Sequence, residues 1–350
     1  MTDDLQATLN AGKSPGDLGF VMPAETAPHA GCWMSWIHDD HPDVWGARLE
    51  DAERAFVRIA AAIAAFEPVH VLTDPGQARH ARARLPDSVR VVPMPQDDLW
   101  FRDTGPLFVQ DKTGRTIGTN LHFRNWGNKF PVTPGDRDIG AALVRNLGLP
   151  LFQSTLHGEG GGLISDGAGT VITTETCMMN PNRNPGMTKA DVEELLDHAL
   201  GARKVIWLPG DEDEWITDGH IDGVLTFASP GHVLFEDNPD NEHPHQRVCR
   251  ENLAALRGQT DARGREIEIT RLDEAYAFPS ENENTATSYV NCYIANGGVI
   301  LPRFGTPQTD DAAAETFARA FPTRQIVQVD ITDICWNGGG IHGMTQQQPA

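Results

Sequence analysis

Apolar positions fall into two rhythms that alternate from about residue 22 to the C-terminus. Leu49, Ala52, Phe56, Ile59, Ile63 and Phe66 recur at three- and four-residue steps and predict a helix over 44–66, stopped by Pro68. Val192, Leu195, Leu196 and Ala199 form a second stripe, with Thr188 as N-cap and Asp191 three residues on. Further helices are predicted over 77–85, 139–147 and 311–321. Short apolar runs read as strands at 31–36, 69–72, 89–92, 152–156, 205–208, 233–235, 267–269 and 325–329. Three pairs read as hairpins: 107–109 with 117–123, 163–165 with 170–173, and 288–294 with 299–301.

This alternation defines an α/β or α+β protein. No strict repeat is visible, yet one order recurs: helix, strand, polar loop with a carboxylate and glycines, hairpin. That order suggests several similar modules around one centre. Residues 1–20, rich in Gly, Ser, Pro and Asp, read as a flexible lead-in, and 21–350 as the folded domain. The run Gly338-Gly339-Gly340 near the C-terminus reads either as a frayed tail or as backbone that approaches a ligand closely.

Composition narrows the function. The chain has 350 residues, 39% hydrophobic and 22% charged, with a formal net charge of −21. Such acidity makes nucleic acid and anionic membranes poor partners and favours the approach of a cation. No apolar run approaches the ~18 residues of a membrane span, and Met1–Leu9 does not read as a secretory signal. The five cysteines (Cys32, Cys177, Cys249, Cys292, Cys335) are scattered, without a C-x-x-C pair. They fit a reducing, cytoplasmic setting and argue against a structural zinc site.

The candidate chemistry lies in the polar loops: Arg102-Asp103-Thr104-Gly105, Glu159-Gly160-Gly161-Gly162, Asp218-Gly219-His220-Ile221-Asp222 and Gly338–Gly343. Singly, each is as well read as a turn. His220-x-Asp222 is the most informative, because residues two apart on an extended segment share a face. A carboxylate there would support a protonated imidazole. Carboxylates, a His and aromatic residues suit a planar cation such as a guanidinium, whose fork of donors matches carboxylates. A nucleophile or metal is missing, since none of the five cysteines is expected beside His220.

Together these segments resemble the agmatine deiminase/bacterial peptidylarginine deiminase family of the guanidino-group-modifying superfamily. The matching stretches are Met22-Pro23-Ala24-Glu25, Trp100–Pro106, Glu159-Gly160-Gly161, Thr174–Pro185, Asp218–Asp222, Ser288–Asn291, Gly338–His342 and Thr345–Pro349, in family order. The resemblance implies a pentein-like, five-module α/β propeller with pseudo-fivefold symmetry and a negatively lined centre. It implies cofactor-free and metal-free hydrolysis of a small cationic guanidine, agmatine to N-carbamoylputrescine, with release of ammonia. Asp103 and Asp222 would grip the guanidinium, and Glu159 would sit with His220, the proton shuttle. Trp100, Trp126, Asp218 and Asn291 would line the substrate site. Family members are commonly oligomeric, so a homo-oligomer is allowed.

The chain departs from the family at Gly343, where the nucleophilic Cys is expected. No covalent intermediate should then form. Because the other motifs are intact, Gly343 reads as an inactivating replacement, made to trap substrate, ahead of a natural homologue that lost catalysis. The alternatives are a deiminase of arginine or peptidyl-arginine, with Arg102 or Arg124 to hold a carboxylate, and a non-catalytic guanidine-binding protein. An amidinotransferase would share the scaffold and also need the Cys.

Overall fold

The computed structural model describes residues 2–37, 45–131, 133–279 and 284–350. Among these residues the strands form five separate sheets, four of three strands and one of four. Each sheet is built the same way, and the reason is local. Two strands form an antiparallel pair, joined in four of the sheets by a short turn, and a helix then returns the chain to add a parallel strand.

Leu107–Gln110 pairs antiparallel with Thr116–His122, the helix Pro134–Asn146 follows, and Leu151–His157 adds in parallel. Ile164–Ser165, Thr170–Thr174, the helix Lys189–Leu200 and Lys204–Leu208 repeat the plan. So do Leu225–Ser229, His232–Asp237, Pro244–Leu256 and Glu268–Asp273. The fourth copy is Tyr293–Ala295, Gly298–Arg303, Pro307–Ala320 and Gln325–Asp330. The fifth joins the two ends of the chain. Thr345–Pro349 pairs antiparallel with His29–Ser35, the helix Leu49–Ala64 follows, and Val69–Thr73 and Val89–Pro93 add in parallel.

The helix Leu49–Ala64 buries Ala52, Ala55, Phe56, Ile59, Ala60 and Ile63 along the expected stripe. Each large side chain so buried contributes about 1.5–3 kcal/mol. Its start is preceded by a 3₁₀ turn at Gly46–Arg48, and Val44, also expected in this helix, lies outside the described residues. Thr188 forms a reciprocal capping box with Asp191, worth about 1 kcal/mol.

Two expectations are corrected. Residues 2–20 are packed, not a loose lead-in. Thr2–Asn10 is a helix whose Leu5 and Leu9 join a core cluster with Leu156, Val192 and Leu196, and Gln6 bonds both backbone groups of Leu151. The i, i+4 leucine pair carries this packing, and the Gly-Ser-Pro composition around it obscured the signal. The strand expected over 288–294 shortens to Tyr293–Ala295. Its first residues are held as a loop by the buried Glu236 carboxylate, which accepts from the N–H groups of Tyr289 and Val290.

The repeated plan positions the chemistry. The connection from the last parallel strand of each sheet to the next antiparallel pair carries a polar loop. Asp103, Glu159, His220 with Asp222, Asn291 and Gly343 lie on these five connections, one on each apart from the His–Asp pair.

Candidate active site

Gly161 marks the centre. A β-carbon placed on it would lie 2.6 Å from His220 Nδ1, 2.9 Å from Asp103 Oδ1 and 3.0 Å from Asp222 Oδ2. Two connections distant in sequence therefore aim polar atoms at a third, and any side chain at 161 would displace them. The Gly161 N–H also donates to Asp103 Oδ1 at 2.9 Å, and Trp126 Nε1–H donates to Asp103 Oδ2 at 2.8 Å. Trp126 has a left-handed backbone, φ 51°, which is costly for a bulky residue. That conformation accompanies the indole's contact with Asp103.

Asp103 is buried, and burial raises its pKa. Asp222 and Glu159 push it the same way, while His220 opposes them. Such a site favours an added cation, which would relieve the crowding of negative charge. His220 stands between Asp103, 3.8 Å from Nδ1, and Glu159, 3.3 Å from Nε2. Burial alone would strip its proton. The Asp103 charge, a hydrogen bond with Cys177 and another with Glu159 prevail and raise it well above the ordinary His value.

Glu159 is ionised for a separate reason. Burial would raise it, but Arg183, whose Nε lies 2.9 and 3.1 Å from the two oxygens, holds it below the usual range. The Arg183 side chain is itself fully buried. It continues to Asn182, Asp218 and the Thr217 carbonyl. His220 is thus a protonated acid set against carboxylates that are themselves fixed.

The terminal glycines close the site. A β-carbon on Gly339 would fall 2.3 Å from the Trp100 ring, and one on Gly340 would fall 2.6 Å from Asn291 Oδ1. Both glycines are there because an indole and an amide approach the backbone. Asn291 Oδ1 accepts from the N–H of His342 (3.0 Å) and of Gly343 (3.4 Å). Gly343 faces Trp100, whose nearest atom would lie 3.1 Å from a β-carbon there. The segment beyond is a paired strand, so the frayed-tail reading falls.

Other sequence expectations land differently. His220 and Asp222 do converge, but through a turn: His220 is extended and Asp222 lies in the 3₁₀ turn Ile221–Gly223. Asp218 lies beside the site and is engaged with Lys129, Asn182 and Arg183. Glu214, weighed with it for the far end of a substrate, caps the N–H groups of Ile216, Thr217 and Gly219. Arg102 is fully buried, bonded to Gln346, Gln347 and the His342 carbonyl, and so serves the framework.

Cys177, expected to be remote, is a neighbour of His220 after all. Donor atoms of Glu159, Cys177 and His220 lie within 4.8 Å of one another. A divalent ion among them would meet the buried Arg183 guanidinium already lying across Glu159, so this trio fits a metal poorly. Arg183 and Glu25 were legible as motif residues, but nothing in their spacing revealed their partners.

Taken together, the fold and site define an α/β protein in which buried carboxylates converge beside a histidine whose pKa is raised well above its ordinary value. The comparisons place it more closely. The Porphyromonas-type peptidyl-arginine deiminase family model matches residues 21–349, and the chain belongs to that enzyme family. An agmatine deiminase of Medicago truncatula is 37% identical, covering 95% of this chain and 97% of its own. One from Pseudomonas aeruginosa (strain LESB58) is also 37% identical, covering 97% and 98%. A solved agmatine deiminase of Enterococcus faecalis, described as catalysing its reaction, superposes with a TM-score of 0.92 at 31% identity, covering 97% and 98%. Among the described residues no helix is long and apolar enough to cross a membrane.

Proposed function

We propose that the chain is an agmatine deiminase-type protein that binds a small cationic guanidine at this site and, with Gly at 343, does not turn it over. The carrying observation is the convergence of Asp103, Asp222 and His220 on the region around Gly161. The agmatine deiminases at 37% identity support agmatine as the substrate. We read the five sheets as modules of a closed five-module propeller, with the five connections gathered at its centre.

In the reaction, Asp103 and Asp222 hold the guanidinium nitrogens and align the carbon, which is a poor electrophile because its charge is delocalised. A Cys thiolate at 343 adds to that carbon. His220 gives its proton to the departing nitrogen, and ammonia leaves. The deprotonated His220 then takes a proton from water as it attacks. The thiolate departs as the remaining hydroxyl proton is lost to solvent, which leaves the ureido product. Gly343 removes the first step and leaves the binding groups in place.

A second reading, deimination of arginine or peptidyl-arginine, draws on the description of the family model. A third, a guanidine-binding homologue without catalysis, draws on Gly343 itself. Turnover assays on Gly343→Cys with agmatine, arginine and a peptidyl-arginine separate the three by which guanidine releases ammonia. Turnover of none refutes the enzyme readings.

A further inference from the structure

Glu25, in Met22-Pro23-Ala24-Glu25, and His342, beside Gly343, have no part in the chemistry above. The structure joins them. His342 Nε2 lies 2.7 Å from Glu25 Oε1, and its Nδ1 lies 2.8 Å from Asp222 Oδ2. All three side chains are buried. The His342 N–H donates to Asn291, and its carbonyl accepts from Arg102 Nε at 3.3 Å. Ring and backbone are therefore both fixed.

We propose that His342 and Glu25 are positioning residues that lock the Asp222 carboxylate opposite Asp103, so that a guanidinium meets two preset acceptors. This rests on the guanidine reading of the site. The chain Glu25–His342–Asp222 ties a residue near the N-terminus to one near the C-terminus and delivers the result to the centre. An imidazolium donating at both nitrogens stops Asp222 rotating and fixes its carboxylate beside Asp103. A neutral imidazole can donate at only one nitrogen, so it cannot hold both carboxylates.

The groups facing His342 favour the charged form. Burial and the Arg102 charge oppose its proton, but Glu25 and Asp222 prevail, so its pKa is raised. Glu25 shows the reciprocal effect. Burial would raise it, yet the charges of His342 and Arg102, with a smaller one from His29, bring it down to about 2.

The test is Glu25→Gln in the otherwise unaltered chain. The replacement amide keeps an acceptor for Nε2–H but removes one of the two charges supporting the imidazolium. Histidine NMR titration should show His342 losing its proton about one pH unit lower than in the unaltered chain. The alkaline decline of calorimetric agmatine affinity should move to lower pH by the same interval. His342→Gln should weaken binding about tenfold or more at pH 6, where the ring would be charged. Coincident His342 titrations in the two proteins overturn the proposal, as does a shifted ring with an unshifted binding profile. A merely structural contact would change stability without moving that profile. If the unaltered chain binds no guanidine, the functional reading fails, and the ring titration alone judges the clamp.

Discussion

Replacing Asp103 with Asn changes one atom and removes the charge that the site is arranged around. Asp103 accepts two hydrogen bonds within the protein, one per oxygen, from Gly161 N–H and Trp126 Nε1–H. Asn offers one carbonyl, so one of these donors faces an amide NH₂ group. That mismatch should destabilise the fold by about 1–3 kcal/mol, partly offset because a buried carboxylate is no longer desolvated. The effect on binding is larger. Hydrogen bonds to charged groups are worth about 1.5–3 kcal/mol each, so losing the carboxylate should weaken agmatine binding by about 3 kcal/mol or more. This is on the order of 100-fold in Kd.

His220 also loses its leading support, the Asp103 charge, and should titrate lower. Calorimetry at pH 7 gives the affinity, and urea denaturation alongside separates binding from folding. Because Asp103 is raised in the free site, affinity in the unaltered chain should climb as pH rises through the acid range. The Asn variant should lack that slope. A Kd within about threefold of the unaltered chain, with an unchanged slope, would refute the assignment of Asp103.

Two further predictions concern the supporting framework. Arg183→Met leaves the fully buried Glu159 and the partly buried Asp218 without their guanidinium and should cost about 3–5 kcal/mol in urea denaturation; a loss under about 1 kcal/mol contradicts this role. Asp136, whose Oδ1 accepts from the N–H groups of Asp97 and Asp98, is raised by burial first and then by the charge of Asp98. An acid raised on folding keeps its stabilising share below its ordinary pKa, 3.8, and loses it as pH rises towards about 7. Asp136→Asn should therefore be more stable than the unaltered chain at pH 8 and flatten the stability profile between pH 4 and 7, which thermal denaturation across that range checks.

Much of this was legible in sequence because the module order is local. The stripe from Ala52 to Ile63, the Thr188 box and the hairpins each follow from spacing within one segment. The polar loops were legible as loops, and the motifs named the residues on them. What could not be read was which loops meet. Glu25 and His342 are 317 positions apart, and Asp103 and Gly161 are 58 apart. Cys177 reaches His220 from a helical turn after a strand, outside the five site-bearing connections. The glycine run was ambiguous for the same reason: Trp100 and Asn291, which exclude side chains there, come from other loops. The mobile lead-in failed on composition, since two leucines one helical turn apart are enough to dock Thr2–Asn10 on the core.

In the proposed reaction, position 343 separates a binding protein from an enzyme. A β-carbon there would press the Trp100 ring at 3.1 Å, so the ring must yield by a few tenths of an ångström to admit a Cys side chain. The most direct measurement is ammonia release from agmatine by Gly343→Cys beside the unaltered chain, each with calorimetric binding. Saturable agmatine binding by both proteins, with ammonia and ureido product from the Cys variant alone, is the expected result. Binding by neither, or a Cys variant that binds agmatine and releases no ammonia, would contradict it.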